Sequence, residues 1–226
     1  ARRPRRAAAS AVDAGEVASI LGVAGLAYVG WSTWVYSKVT FAQARLIGQR
    51  VPSGARCVEL NADSKNLYYY PKVMEIVTAV GNTGDKLSEK QYQFDDASSK
   101  TGVPVLCVDD EPENLRSVKT GSCDAVVSSS AMAISREPKK VLDEVFRVLK
   151  PDGVFVFVEM LNGSAKANLE LLKARPEVTS LSVDPEFLNG AKPHAVGWCA
   201  KSVNTTDAEE KLRAGAKRSK PKKGFS

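Results

Sequence analysis

A chain of 226 residues supports one sizeable α/β domain with appendages and is too short for two full domains. Its single histidine, His194, excludes a multi-histidine metal site, and its four scattered cysteines (Cys57, Cys107, Cys123 and Cys199), with no C-x-x-C pair, read as free thiols in a reducing compartment rather than a disulfide framework or metal site. The formal net charge of +6 is concentrated at the ends: residues 1–12 carry Arg2, Arg3, Arg5 and Arg6 without an acid, residues 211–226 carry seven Lys or Arg without an acid, and the body between Asp13 and Glu210 has a net charge of −5. Such tails are expected to lie on acidic partner surfaces. Nucleic acid is not an expected partner, because Phe225 is the tails' one aromatic residue available for base stacking.

In chain order, residues 1–16 form a basic tail rich in Ala and Arg, which fits the remnant of an organellar transit peptide. The next segment, "VASILGVAGLAYVGWSTWVY" at 17–36, has no charge between Glu16 and Lys38. Twenty residues at ~1.5 Å each span ~30 Å, the thickness of a bilayer's hydrocarbon core. Tyr28, Trp31, Trp34 and Tyr36 gather toward one end, as at a headgroup boundary. The expectation is one transmembrane helix over 17–37, in contact with lipid, followed by a linker at 38–53.

From residue 54 to 202 apolar runs alternate with helical patterns, which predicts a parallel α/β sheet. The runs are "ARCVEL" at 55–60, a second at 75–80, "VPVLCVDD" at 103–110, "SCDAVVSSSAM" at 122–132 and "GVFVFVEM" at 153–160. The last is apolar throughout, as a strand covered on both faces would be. Between the last two runs, Val141, Leu142, Val145, Phe146, Val148 and Leu149 recur at the spacing of one buried helix face. Ser135 is the expected N-cap of that helix, Pro138 suits its first turn, and "KPDG" is expected to close it. Residues 203–226 form the second basic tail.

The stretch "CDAVVSSSAMAISREPKKVLDEVFRVLKPDGVFVFVEM" resembles the second half of class I S-adenosylmethionine-dependent methyltransferases, in which a D-x-V-V strand leads to a helix ending R-V-L-K-P-G-G and then a strand F-x-F-x-E. "NLYYYP" at 66–71 and "KPHAVGWCAKS" at 192–202 are similar to segments of the quinone- and thiol-methylating branch, some members of which carry an N-terminal membrane anchor. The resemblance covers about residues 54–202 and implies a Rossmann-like fold with a mainly parallel sheet.

Measured against that family, the ligand-forming residues look altered. Its first strand runs into E-x-G-x-G-x-G, whose glycines allow a tight turn and close approach to the cofactor. Starting from Glu59, this chain places Asn61, Asp63 and Lys65 at the three glycine positions, and three side chains there are expected to fill the cofactor's space. Where the family ends its second strand in an acid for the ribose hydroxyls, this chain has Gly81 and Asn82, with Asp85 further on. Asp109 or Asp110 stands where the family keeps an acid near the adenine. Only residues 161–191, with one helical segment in "SAKANLELLKA", remain to roof an acceptor pocket. Asp143 and Glu144 read as exposed helix charges, Asp124 and Glu159 as part of the fold's own pattern, and His194 as structural, so no catalytic, cofactor-binding or metal residue is assigned.

The sequence therefore raises the expectation of a non-catalytic, cofactor-free membrane subunit of a large organellar complex, with pigment or lipid contacts along its span. A thylakoid photosystem supercomplex ranks ahead of the mitochondrial inner membrane. The alternative reading is a membrane-anchored methyltransferase acting on a quinone or another lipid-soluble acceptor.

Overall fold

The computed structural model describes residues 14–84, 86–161, 165–188 and 192–202. The basic tails, and what was expected of them, lie outside the described residues. The chain divides after Lys38 into two units.

The first unit is the leading part of helix α1 (Ala14–Arg50). Val23, Leu26, Tyr28, Val29, Trp31, Trp34 and Tyr36 are exposed there, and at ~100° per residue they fall on every side of the helix. The rings of Trp31 and Trp34 sit 5.7 Å apart. The expected transmembrane span at 17–37 is not supported: among the described residues no helix is long and apolar enough to cross a membrane. Its first side chains, at 17–21, lie outside the described residues.

The second unit is a seven-stranded sheet. Its strands are β1 (Arg56–Leu60), β2 (Ile76–Val80), β3 (Val105–Val108), β4 (Cys123–Ser129), β5 (Leu149–Met160), β6 (Val178–Phe187) and β7 (His194–Lys201), in the order β3-β2-β1-β4-β5-β7-β6. The strands from β3 to β5 pair in parallel, and β7 runs antiparallel to both β5 and β6. The five apolar runs expected as strands are strands. The chain walks outward from β1 to β3 and then returns to lay β4 on the other side of β1. That reversal opens a crevice at the carboxyl ends of β1 and β4, where sheets of this type bind ligands.

Alternate residues of the strands feed two cores. Val58, Leu60, Val126, Phe155 and Phe157 pack with helix α4 (Pro138–Val148) on one face. Cys57, Val77, Ala125, Val127 and Val156 pack on the other with Leu46 and Ile47 of α1 and Phe94 of α2 (Gln91–Thr101). The stretch 38–53, read from sequence as a linker, is thus helical to Arg50 and covers the sheet. α4 buries Val141, Leu142, Val145, Phe146 and Val148, as its spacing predicts.

Two details of α4 differ from expectation. Its N-cap is Glu137, without a side-chain cap, while Ser135 accepts a hydrogen bond from the Glu137 N–H at 2.9 Å. "KPDG" belongs to the irregular start of β5, where Asp152 takes φ 61°, and the end of α4 is instead held by the Lys201 ammonium, which donates to the carbonyls of Phe146 and Leu149.

Gly197, in β7, is packed so closely that a Cβ would strike the Ser182 carbonyl oxygen and come within 2.9 Å of Phe157 Cζ. Backbone on one side and a core ring on the other leave no direction for relief. Gly197→Ala is expected to cost about 3 kcal/mol, read in thermal unfolding as a Tm lowered by roughly 10 °C.

Candidate functional site

The candidate site is built on the turn that leaves β1. Asn61 takes φ 52°, a left-handed conformation that Asn tolerates better than most side chains. Its amide is anchored across the crevice, with Nδ2 donating to the Ser129 carbonyl at 2.6 Å. Asp63 has φ −121° and begins a 3-10 helix, Ser64–Tyr69, by accepting the Lys65 N–H on Oδ1 at 3.0 Å. Only the first of the three glycine positions therefore needs a positive φ, and Asn61 supplies it.

The whole turn hangs on Glu59. Its carboxylate, 1% exposed, accepts from Asn66 Nδ2 at 2.6 Å, Tyr70 OH at 2.9 Å and the Asp63 N–H at 3.3 Å. Burial pushes its pKa up to about 7 against the opposing pull of these three donors. "NLYYYP" thus acquires a physical role, since Asn66 and Tyr70 are the clamp that satisfies a buried carboxylate.

Between this turn and the end of β2 lies a cavity of about 370 Å³, within the size range of small-molecule sites. Asn61, Ala62, Asp63 and Ser64 form one part of its wall, Gly81 another, and Leu87, Lys90, Gln93 and Phe94 the rest. Lys65 is exposed and does not line it. The expectation that the three replacements close the cofactor's space is corrected on this point. The chain leaves the turn as a 3-10 helix and carries the residue-65 side chain away from the cavity.

The remaining acids are committed elsewhere. Asp109 accepts the Ser88 N–H and hydroxyl, and the first of these bonds chiefly holds its pKa below the usual carboxylate range. Asp110 accepts the Ser117 N–H. Asp124, at the opposite end of the sheet, accepts from the Arg56 N–H and Lys150. Asp143 pairs with Lys139 and Arg175, and Glu144 with Arg147 and the Leu115 N–H. His194 is buried, with Nδ1 2.7 Å from the Lys192 carbonyl oxygen. Asn82 accepts its neighbour's Thr83 N–H, and Asp85 lies outside the described residues.

Glu159 is the second fully buried carboxyl. Ser128 Oγ donates to one of its oxygens and the Ala133 N–H to the other, which ties β4, β5 and the short helix α3 (Ala131–Ile134) together. It also faces a small hollow with Met132, Phe157, Asn168 and Leu169, but that hollow of about 10 Å³ has room for roughly one water and none for an acceptor.

Sequence reasoning missed Gln43, whose Nε2 donates to Ser129 Oγ at 2.5 Å, so that α1, β1 and β4 meet at the crevice. It also missed α2, the source of Gln93 and Phe94. The signal available in "QYQFDDASSKT" was only Phe94 and Ala97 at a spacing of three, too little to outweigh a largely polar stretch.

The two buried glutamates give a pH prediction. Burial raises Glu159 to about 7 as well. A carboxyl whose folded pKa lies above its unfolded value of 4.5 binds its proton more tightly in the fold. Its contribution to stability is complete below about pH 4.5, declines as pH rises toward 7 and is gone above that. The expected loss is on the order of 3 kcal/mol per carboxyl. Urea unfolding of wild type at pH 5 and pH 8 is expected to show the decline, and Glu159→Gln, which keeps an acceptor without a titrating proton, to remove about half of it.

Residues 66–157 match a family model described as a methyltransferase domain. No curated protein sequence matches the chain. Among solved structures, the chain is similar to the Burkholderia thailandensis 1,6-didemethyltoxoflavin-N1-methyltransferase with bound 1,6-didemethyltoxoflavin and S-adenosylhomocysteine (TM-score 0.57, 14% identity, 87% of this chain and 93% of that one). It is also similar to an rRNA methylase from Streptococcus thermophilus (TM-score 0.53, 12% identity, 71% and 92%) and to the [4+2]-cyclase SpnF (TM-score 0.54, 16% identity, 71% and 80%). The methyltransferase-domain match, together with the open cavity behind the β1 turn, overturns two sequence-based expectations, that the chain is not an enzyme and that it takes no cofactor. With its parallel sheet and its crevice at the carboxyl ends of β1 and β4, the chain has the Rossmann-like α/β fold of methyltransferases, and residues 66–157 match a methyltransferase domain.

Proposed function

We propose that this chain transfers a methyl group from S-adenosylmethionine to a lipid-soluble acceptor, a quinone being the class that the resembling branch methylates, and that the first part of α1 holds it to an organellar membrane. The observation that carries the reading is the cavity of about 370 Å³ at the carboxyl ends of β1 and β2, walled by a turn whose one left-handed position is filled by Asn61. The residues present fit the cofactor: the cavity has adequate volume, an apolar floor in Leu87 and Phe94, and polar groups of both charges in Asp63 and Lys90. When bound, S-adenosylmethionine supplies an electrophilic methyl group.

What the chain contributes is placement. Glu59, Asn66 and Tyr70 fix the turn, and Asn61 ties it to Ser129 at the crevice, where Gln43 of α1 also holds Ser129. Rigid anchoring of this kind turns a two-body encounter into an oriented one, which is the larger part of what methyl transfer asks of a protein. Asn61, Ala62, Asp63, Ser64, Leu87, Lys90, Gln93 and Phe94 then hold and orient the cofactor.

The membrane part rests on the exposed apolar residues around α1 between Val23 and Tyr36. A helix apolar on all sides is stable in water only under cover, and lipid supplies cover without a protein shell.

Isothermal titration with S-adenosylhomocysteine is expected to give micromolar binding. Gly81→Trp, which fills the cavity from its wall, is expected to weaken binding at least ~100-fold while the thermal transition is kept. An absence of heat at millimolar ligand would sink the reading. Flotation with anionic lipid vesicles tests the anchor separately: the full chain is expected to rise with the vesicles, and Leu26→Asp combined with Val29→Asp to reduce the bound fraction at least ~10-fold. Equal flotation of both would remove the membrane role and leave the enzymatic one intact.

A further inference from the structure

We infer that Asp63 binds the ribose hydroxyls of the cofactor, so that the diol is held from the β1 turn and not from the end of β2; this rests on the methyltransferase reading. A vicinal diol presents two O–H donors and is best met by a carboxylate, whose two oxygens accept both. At the end of β2 the wall is Gly81, which has no side chain to accept anything. The next residue, Asn82, turns its side-chain oxygen onto the Thr83 N–H at 2.8 Å, and the Thr83 hydroxyl donates to Glu113. Glu59 is enclosed by its three donors, and Asp109 and Asp110 are held by Ser88 and Ser117 away from the lining. Among the described residues that line the cavity, Asp63 is the one carboxylate.

Its placement suits the task. The backbone N–H of Asp63 is pinned to Glu59, and Oδ1 accepts the Lys65 N–H, so the side chain has one fixed orientation. Among the described residues Oδ2 takes no hydrogen bond, and Oδ1 keeps a second lone pair. Competing acceptors in the wall are weaker. Lys90 can only donate, and the amide oxygen of Asn61 and the hydroxyl of Ser64 are neutral, about half as strong as an ionised acceptor. Asp63 therefore does two jobs, starting the 3-10 helix with one oxygen and receiving the ligand with the other.

The test is calorimetric titration of wild type and Asp63→Asn with two probes, S-adenosylhomocysteine and its 2′-deoxyribose analogue. Asn caps a helix as well as Asp does, so the 3-10 helix is retained, and an unchanged thermal transition verifies this. Asp63→Ser, another capping residue without a carboxylate, serves as the second variant. Wild type is expected to lose roughly 10- to 100-fold in affinity when the 2′-hydroxyl is removed. Asp63→Asn and Asp63→Ser are expected to lose a similar factor for S-adenosylhomocysteine, and then to bind the two probes within about twofold of each other, because the interaction can be lost only once. Variants that bind S-adenosylhomocysteine as wild type does, or that retain the full penalty for the missing hydroxyl, overturn the assignment while leaving the methyltransferase reading standing. A wild type that binds neither probe overturns both.

Discussion

The site depends on one buried carboxylate. Glu59 sits at the last turn of a strand covered on both faces, where an ionised group without partners would be several kcal/mol too costly to keep. Three donors answer it: Asn66 and Tyr70 from side chains, and Asp63 through its backbone. Because those donors come from residues 63 to 70, satisfying Glu59 fixes the path of the chain just beyond β1. The β1 turn, the 3-10 helix and the near wall of the cavity follow from that path. The same atoms that lower the cost of a buried charge also build the binding surface.

This explains how a turn without glycine can surround an open space. Glycine is required where φ is positive or where a Cβ would meet something. At Asn61 φ is positive, but an Asn side chain tolerates it and gains an anchor on Ser129. At Asp63 the backbone is extended, and its side chain caps the helix that follows. Lys65 lies inside that 3-10 helix, exposed and outside the cavity lining. Two of the three substitutions, Asn61 and Asp63, alter the surface that a ligand would touch, and all three leave the space itself.

The crevice is closed from the other direction by an element that carries no family motif. Gln43 of α1 reaches Ser129, the residue that also receives Asn61, and Leu46 and Ile47 of the same helix are buried in the core against the sheet. A helix that covers the sheet and also bonds at the crevice couples the stability of the domain to the geometry of the site. Within its own unit the leading part of α1 has the opposite character, with apolar side chains exposed on every side.

Much of this was legible in the chain. Short apolar runs located five strands, and the spacing of Val141, Leu142, Val145 and Phe146 located α4, because periodicity reports which helix face is buried whatever the partner turns out to be. The sequence by itself also determined that three glycines were missing after Glu59 and that no acid follows β2 directly. What it did not contain was the consequence. Which of the three positions needed a left-handed backbone, and whether acids such as Asp109 and Asp110 were free or already bonded, depend on partners outside the motifs themselves: Ser129, Ser88 and Ser117. A motif states which atoms are present. Whether they leave room for a ligand is decided by the partners that the tertiary structure brings to them, since a buried polar group takes its conformation from whatever satisfies it.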